Sequence, residues 1–112
     1  MVNIYDNANA LATTVREIPE FIALKEAFEK VKADDAAYKI FFDLQTLQQT
    51  IQEKHYKGEE LEEDEMTKMQ SLATLVMSND LLKDFTEKEY ALNNVINDVT
   101  RIITTPIMEI YK

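Results

Sequence analysis

The sequence has no cysteine, one glycine and two prolines in 112 residues. Without cysteine there is no disulfide, no thiolate metal site and no thiol nucleophile. So little glycine and proline leaves few turns, and the abundance of Ala, Leu, Glu, Lys and Gln is the composition of a helical protein. Positive charge is also scarce: 12 Lys and Arg stand against 21 Asp and Glu, a formal net charge of −9. Phosphate backbones and anionic lipid repel such a chain, and no cluster of Lys and Arg offsets this, so neither direct nucleic-acid binding nor membrane association is expected. No apolar run approaches the ~20 residues of a membrane span, and the opening Met1-Val2-Asn3-Ile4-Tyr5-Asp6 lacks the basic and apolar regions of a signal peptide. The expected location is the cytoplasm.

What is present is apolar periodicity. With 46% hydrophobic residues the chain has enough apolar surface for one core, so a single all-α domain over 1–112 is expected, a bundle or hairpin of about five helices. Ile4, Ala8, Leu11, Ala12 and Val15 share a face of a first helix, Asn3 to about Glu17. Pro19 ends it or opens the second, in which Phe21, Leu24, Phe28 and Val31 face inward up to Lys32. Asp34 is the expected N-cap of a long third helix reaching Tyr56, with Ala37, Ile40, Phe41, Leu44, Leu47 and Ile51 in one stripe. Gly58, just past it, suits a left-handed cap. A fourth helix, about Asp64 to Met77, buries Met66, Met69, Leu72, Ala73 and Val76.

The fifth helix organises the rest. Capped by Ser78 or Asn79, it runs to Thr105 before Pro106 terminates or kinks it, giving two long helices over 34–56 and 78–105. Leu81, Phe85, Leu92, Val95, Ile96, Val99, Ile102 and Ile103 form its stripe. Such a helix is about 40 Å long at ~1.5 Å per residue, so other helices or another subunit must lie along it. Lys88 interrupts the stripe near its centre, which points to incomplete cover around Thr86 to Glu89: a solvent opening, a local helix break, or the margin of a subunit contact.

Chemistry-bearing constellations are few. The run Glu59, Glu60, Glu62, Glu63, Asp64, Glu65 lacks the alternating ligands and central glycine of a calcium loop; acids crowding a helix start, where the dipole favours them, account for it. His55, the sole histidine, is flanked by Lys54 and Lys57, which disfavour both a protonated imidazole and a bound metal. No catalytic triad, phosphate loop or HExxH pair is present, and no catalytic residue, metal ligand or cofactor is expected. An alternative, a small-ligand- or metal-dependent enzyme with a site between helices, requires Asp34, Asp35, Asp43, His55 and the acidic run to converge.

A second face on the third helix is more informative. Tyr38, Phe42 and Tyr56 lie roughly 120 to 160° from Leu44 at ~100° per residue. Either this helix is buried on two sides by its neighbours, or the aromatics form a protein interface. With Phe85 and Leu92 of the fifth helix they are the candidate interface residues.

The order of these features resembles the YheA branch of the YlbF/YmcA group of small helical proteins of low-GC Gram-positive bacteria. The similar stretches are Asn3-Ile4-Tyr5-Asp6, Ile18-Pro19-Glu20-Phe21, Lys32-Ala33-Asp34, Phe42-Asp43-Leu44-Gln45-Thr46-Leu47-Gln48, the single turn at Gly58, and Asn93 to Ile103. The resemblance implies an all-helical, self-associating protein with no catalytic residues to transfer. It also implies a regulatory link to RNA processing and, through it, to competence, sporulation and biofilm formation. Some relatives carry cysteines for an iron-sulfur cluster, which this chain lacks. The expectation is thus a non-enzymatic, cytoplasmic interaction protein that forms a homo-oligomer, a dimer first, and binds a protein partner.

Overall fold

The computed structural model describes residues 3–112; Met1 and Val2, the start of the stretch read as lacking a signal peptide, lie outside them. Five helices and no strands occur among the described residues: α1 Ile4–Val15, α2 Pro19–Ala33, α3 Asp35–Lys57, α4 Glu63–Ser78 and α5 Asp80–Ile110. The fold is all-α.

Short-range side-chain chemistry sets most of the boundaries. Asn3 Oδ1 accepts from the N–H groups of Tyr5 and Asp6, each at 3.1 Å, satisfying donors that a first helical turn leaves free. α1 stops at Val15 rather than Glu17, and Glu17 N–H closes a tight turn onto the Thr14 carbonyl at 2.9 Å before Pro19 opens α2. Asp34 caps α3 by accepting from Ala37 N–H at 2.9 Å. Gly58 ends it at φ 75°, with Glu59 N–H donating to Lys54 O at 2.8 Å and Gly58 N–H to His55 O at 3.2 Å, the paired bonds of a Schellman turn. Asn79, not Ser78, caps α5, its Oδ1 accepting from Leu82 N–H at 3.1 Å.

Pro106 neither ends nor divides the last helix, which continues to Ile110. A proline removes its own N–H from the ladder and crowds the carbonyl four residues back, that of Ile102, a local cost this helix carries; nearby, the hydroxyls of Thr104 and Thr105 bond back to the carbonyls of Thr100 at 2.9 Å and Arg101 at 2.8 Å. The apolar period runs on through Ile107 and Ile110.

The chain divides into two compact units, residues 27–85 and residues 1–26 with 86–112. The first contains every buried residue among those described: Ala27, Val31, Ala37, Leu47, Leu72, Leu82 and Phe85. α3 packs on α4 there. Phe28, Phe41 and Phe85 form a closed aromatic triangle, with centroids 5.1 Å apart for Phe28–Phe41 and 5.6 Å for each of the other pairs. Lys32 Nζ lies 5.5 Å from the Phe28 ring centre, so the cluster is edged by a cation. Among the described residues no polar or charged residue is buried. In α4 only part of the expected inward face is covered: Leu72 is buried and Met69 and Val76 are half-buried, while Met66 and Ala73 are exposed.

The other unit has no buried residue among those described. Ala12, Val15, Phe21, Ala23 and Leu24 are half-buried, as are Leu92, Val95 and Val99, while Ile4, Leu11 and Ile22 are exposed. The expected inward face of α1 is therefore only partly covered.

Candidate protein interface

α3 carries two opposed faces because its sequence overlays two helical stripes. Ala37 and Leu47 lie inside, and Phe41 packs with Phe28 and Phe85. On the other face Tyr38, Phe42 and Tyr56 are 41%, 56% and 93% exposed, so burial on two sides by the chain's own neighbours does not describe them. At ~100° per residue Gln45, Gln49 and Gln52 fall in the same stripe. The face is thus aromatic at both ends and amide-lined between, with neutral donors and acceptors and little charge. Its C-terminal part borders an open concavity of about 500 Å³ lined by Gln49, Gln52, Glu53, Tyr56 and Lys57. The glutamines were detectable from their 3- and 4-residue spacing but lack the conspicuousness of the aromatics.

The two candidates on α5 separate. Phe85 is only 8% exposed and belongs to the aromatic triangle, so it is a core residue and offers no surface. Leu92 is half-buried, one member of a stripe whose later residues Ile102, Ile103, Ile107 and Ile110 are exposed. The helix is unbroken through Thr86 to Glu89, which removes a helix break from the explanations of Lys88. Lys88 is half-buried, and partial desolvation raises the pKa of the Glu89 carboxyl even though that residue is at the surface.

Two of the acidic groups have defined structural partners. Asp34 is a cap, and Glu65 Oε1 accepts both Glu62 N–H, at 2.9 Å, and the ammonium of Lys54. The bond from Lys54, then that from the Glu62 backbone, hold the Glu65 carboxyl below its ordinary range. The bond to Glu65 raises the Lys54 ammonium against some desolvation, with the charges of Glu65, Glu62 and Glu59 adding to it. His55 is exposed in the last turn of α3, its carbonyl used by Gly58. Among the described residues no group of three or more His, Cys, Asp or Glu is placed to hold a metal ion. Nor is any described helix long and apolar enough to cross a membrane.

Residues 4–108 match the family described as control of competence regulator ComK, YlbF/YmcA. The UPF0342 protein of Latilactobacillus sakei is 40% identical over 111 residues, 99% of this chain and 97% of that one. Among solved structures, a protein of unknown function from Bacillus stearothermophilus is similar with a TM-score of 0.85 and 27% identity, over 97% of this chain and 96% of that one. The yheA protein of Bacillus subtilis is similar with a TM-score of 0.75 and 25% identity, over 98% and 100% of the two chains. Bacillus subtilis RicA, solved in complex with RicF, shares the fold at a TM-score of 0.65 and 19% identity, over 97% and 96%.

Proposed function

This chain belongs to the YlbF/YmcA family, and from that premise we propose that it is a non-enzymatic regulatory factor that works by binding proteins, its own copies included, through exposed helix faces. The observation that carries the reading is the uncovered stripe of Tyr38, Phe42 and Tyr56 on α3, aromatic anchors of the kind enriched in protein interfaces. Apolar burial at about 25 cal/mol per Å² drives such recognition, offset by the freedom lost on association. A relative in fold, RicA, is described in complex with another protein, which supports the same mode of action here. The proposed setting is cytoplasmic and is the one the family resemblance implies: control of RNA processing, with consequences for competence, sporulation and biofilm formation.

The test is capture from the native cell with wild-type protein and Phe42→Glu side by side, with sedimentation and far-UV circular dichroism on both. A partner retained by wild type and lost by the helical variant, or a smaller sedimenting species for the variant, supports the proposal. Equal capture and equal size, or stoichiometric metal in the purified protein, overturns it.

A further inference from the structure

We propose that the last five or so turns of α5, Leu92 to Ile110, pair antiparallel with the same segment of a second copy. This deepens the self-association in the reading above by assigning it a segment and a register, and it rests on that reading.

Continuity of α5 through Pro106 keeps one apolar repeat in phase to its end. Leu92, Ile96, Val99, Ile103, Pro106 and Ile110 follow one another at alternating intervals of four and three residues, the spacing of the two central positions of a heptad. Val95, Ile102 and Ile107 flank this seam and widen it. Among its members Ile96, Ile102, Ile103, Ile107 and Ile110 together expose the equivalent of three whole isoleucine residues. That is on the order of 500 Å² of apolar surface, near the upper end for a patch on a monomer. Doubled across a pair it is on the order of 1,000 Å², the lower bound for a specific interface.

Charge selects the occupant. Two copies of a chain with net charge −9 repel at most points of contact. From Tyr90 to Met108 the only charged residues are Asp98 and Arg101, which neutralise each other across a 3.3 Å intrahelical ion pair on the side away from the seam. This stretch is where a like-charged copy can approach with little penalty. No charge stands beside the seam until Glu109.

Orientation follows from that residue and from the repeat. Parallel pairing would set two Glu109 carboxylates together at two helix C-termini, where the dipoles already disfavour anions. Antiparallel pairing separates them, and the seam reads the same from both ends: Leu92 meets Ile110 of the second copy, Ile96 meets Pro106, and Val99 meets Ile103.

Sedimentation of the full chain with Ile103→Glu, and with Ile103→Leu as a control, tests the segment. Ile103 is exposed in the single chain, so neither change touches its own core. The wild type and Ile103→Leu are expected as dimers, and Ile103→Glu as a monomer with dimer dissociation raised at least about thirtyfold. Because the chain has no cysteine, single thiols report the register. Chains with Leu92→Cys and Ile110→Cys should cross-link when mixed and not when alone. A wild type that stays monomeric, a dimer unaffected by Ile103→Glu, or self-cross-linking of each single variant overturns the proposal. If Phe42→Glu dissolves a dimer that Ile103→Glu leaves intact, the α5 pairing falls while the α3 reading stands. If the wild type is monomeric yet retains a partner that Phe42→Glu loses, the same division holds.

Discussion

Lys54, in the last turn of α3, donates its ammonium to Glu65, in the first turn of α4, so that one ion pair spans the chain reversal at Gly58. The same Glu65 oxygen accepts the Glu62 backbone N–H, so this carboxylate both starts α4 and ties it to α3.

The pair predicts a defined pH dependence. Glu65 is depressed below its ordinary 4.5, so its contribution to stability is fully present above that value and is lost as the pH falls through the lower folded pKa. Lys54 is raised above its ordinary 10.5, so its contribution is present below that value and is lost as the pH rises through the higher folded pKa. Thermal melts of wild type and Glu65→Gln should differ at neutral pH and converge in acid. A gap that persists undiminished after Glu65 is protonated would refute this origin.

Gly58→Ala should cost about 1–2 kcal/mol, the penalty of a left-handed backbone for a residue with a Cβ. A Cβ there meets nothing within 4 Å, so no steric clash adds to it. Gly58→Asn should cost less, because asparagine tolerates that conformation better. Urea midpoints at constant slope provide the measurement.

Phe85→Ala should destabilise by about 3–5 kcal/mol, since it empties one corner of the Phe28, Phe41 and Phe85 triangle. Phe42→Ala should change stability by no more than about 0.5 kcal/mol, as its ring lies outside. Equal losses would place both rings in the core. The two variants measured by chemical denaturation therefore distinguish a core aromatic from a surface aromatic on residues that look alike in the sequence.

Asn79→Ala should cost about 1 kcal/mol through loss of the cap on Leu82 N–H. Ser78→Ala should cost little, because the Ser78 hydroxyl donates to the carbonyls of Thr74 and Leu75 at the end of α4 and caps nothing on α5. Comparing their melting temperatures tests this assignment.

What was legible in the sequence was what short-range chemistry decides. Asp34 and Gly58 announce a start and a stop because each solves a backbone problem within a few residues of itself. Pro106 misled as a helix end because its local penalty, a lost donor and a crowded carbonyl, does not stop a helix that the periodic isoleucines on either side continue. Phe85 misled for another reason: a helical stripe has the same spacing whether it faces the chain's own core or a partner, and only tertiary neighbours distinguish the two. Tyr38, Phe42 and Tyr56 stood out because they fall outside their helix's inward stripe. Gln45 entered only through the Phe42 to Gln48 resemblance, and Gln49 and Gln52 did not stand out, since neutral polar residues are common on a helix surface.

All the buried residues among those described sit in the unit made of one uninterrupted span of chain, 27–85, whereas the other unit is assembled from residues 1–26 and 86–112. Synthesis therefore supplies the whole hydrophobic centre before the last helix has been fully translated. The terminal segments become a unit only when residues 86–112 emerge, so the surface at the end of α5 is completed after the residues of the hydrophobic centre have been joined.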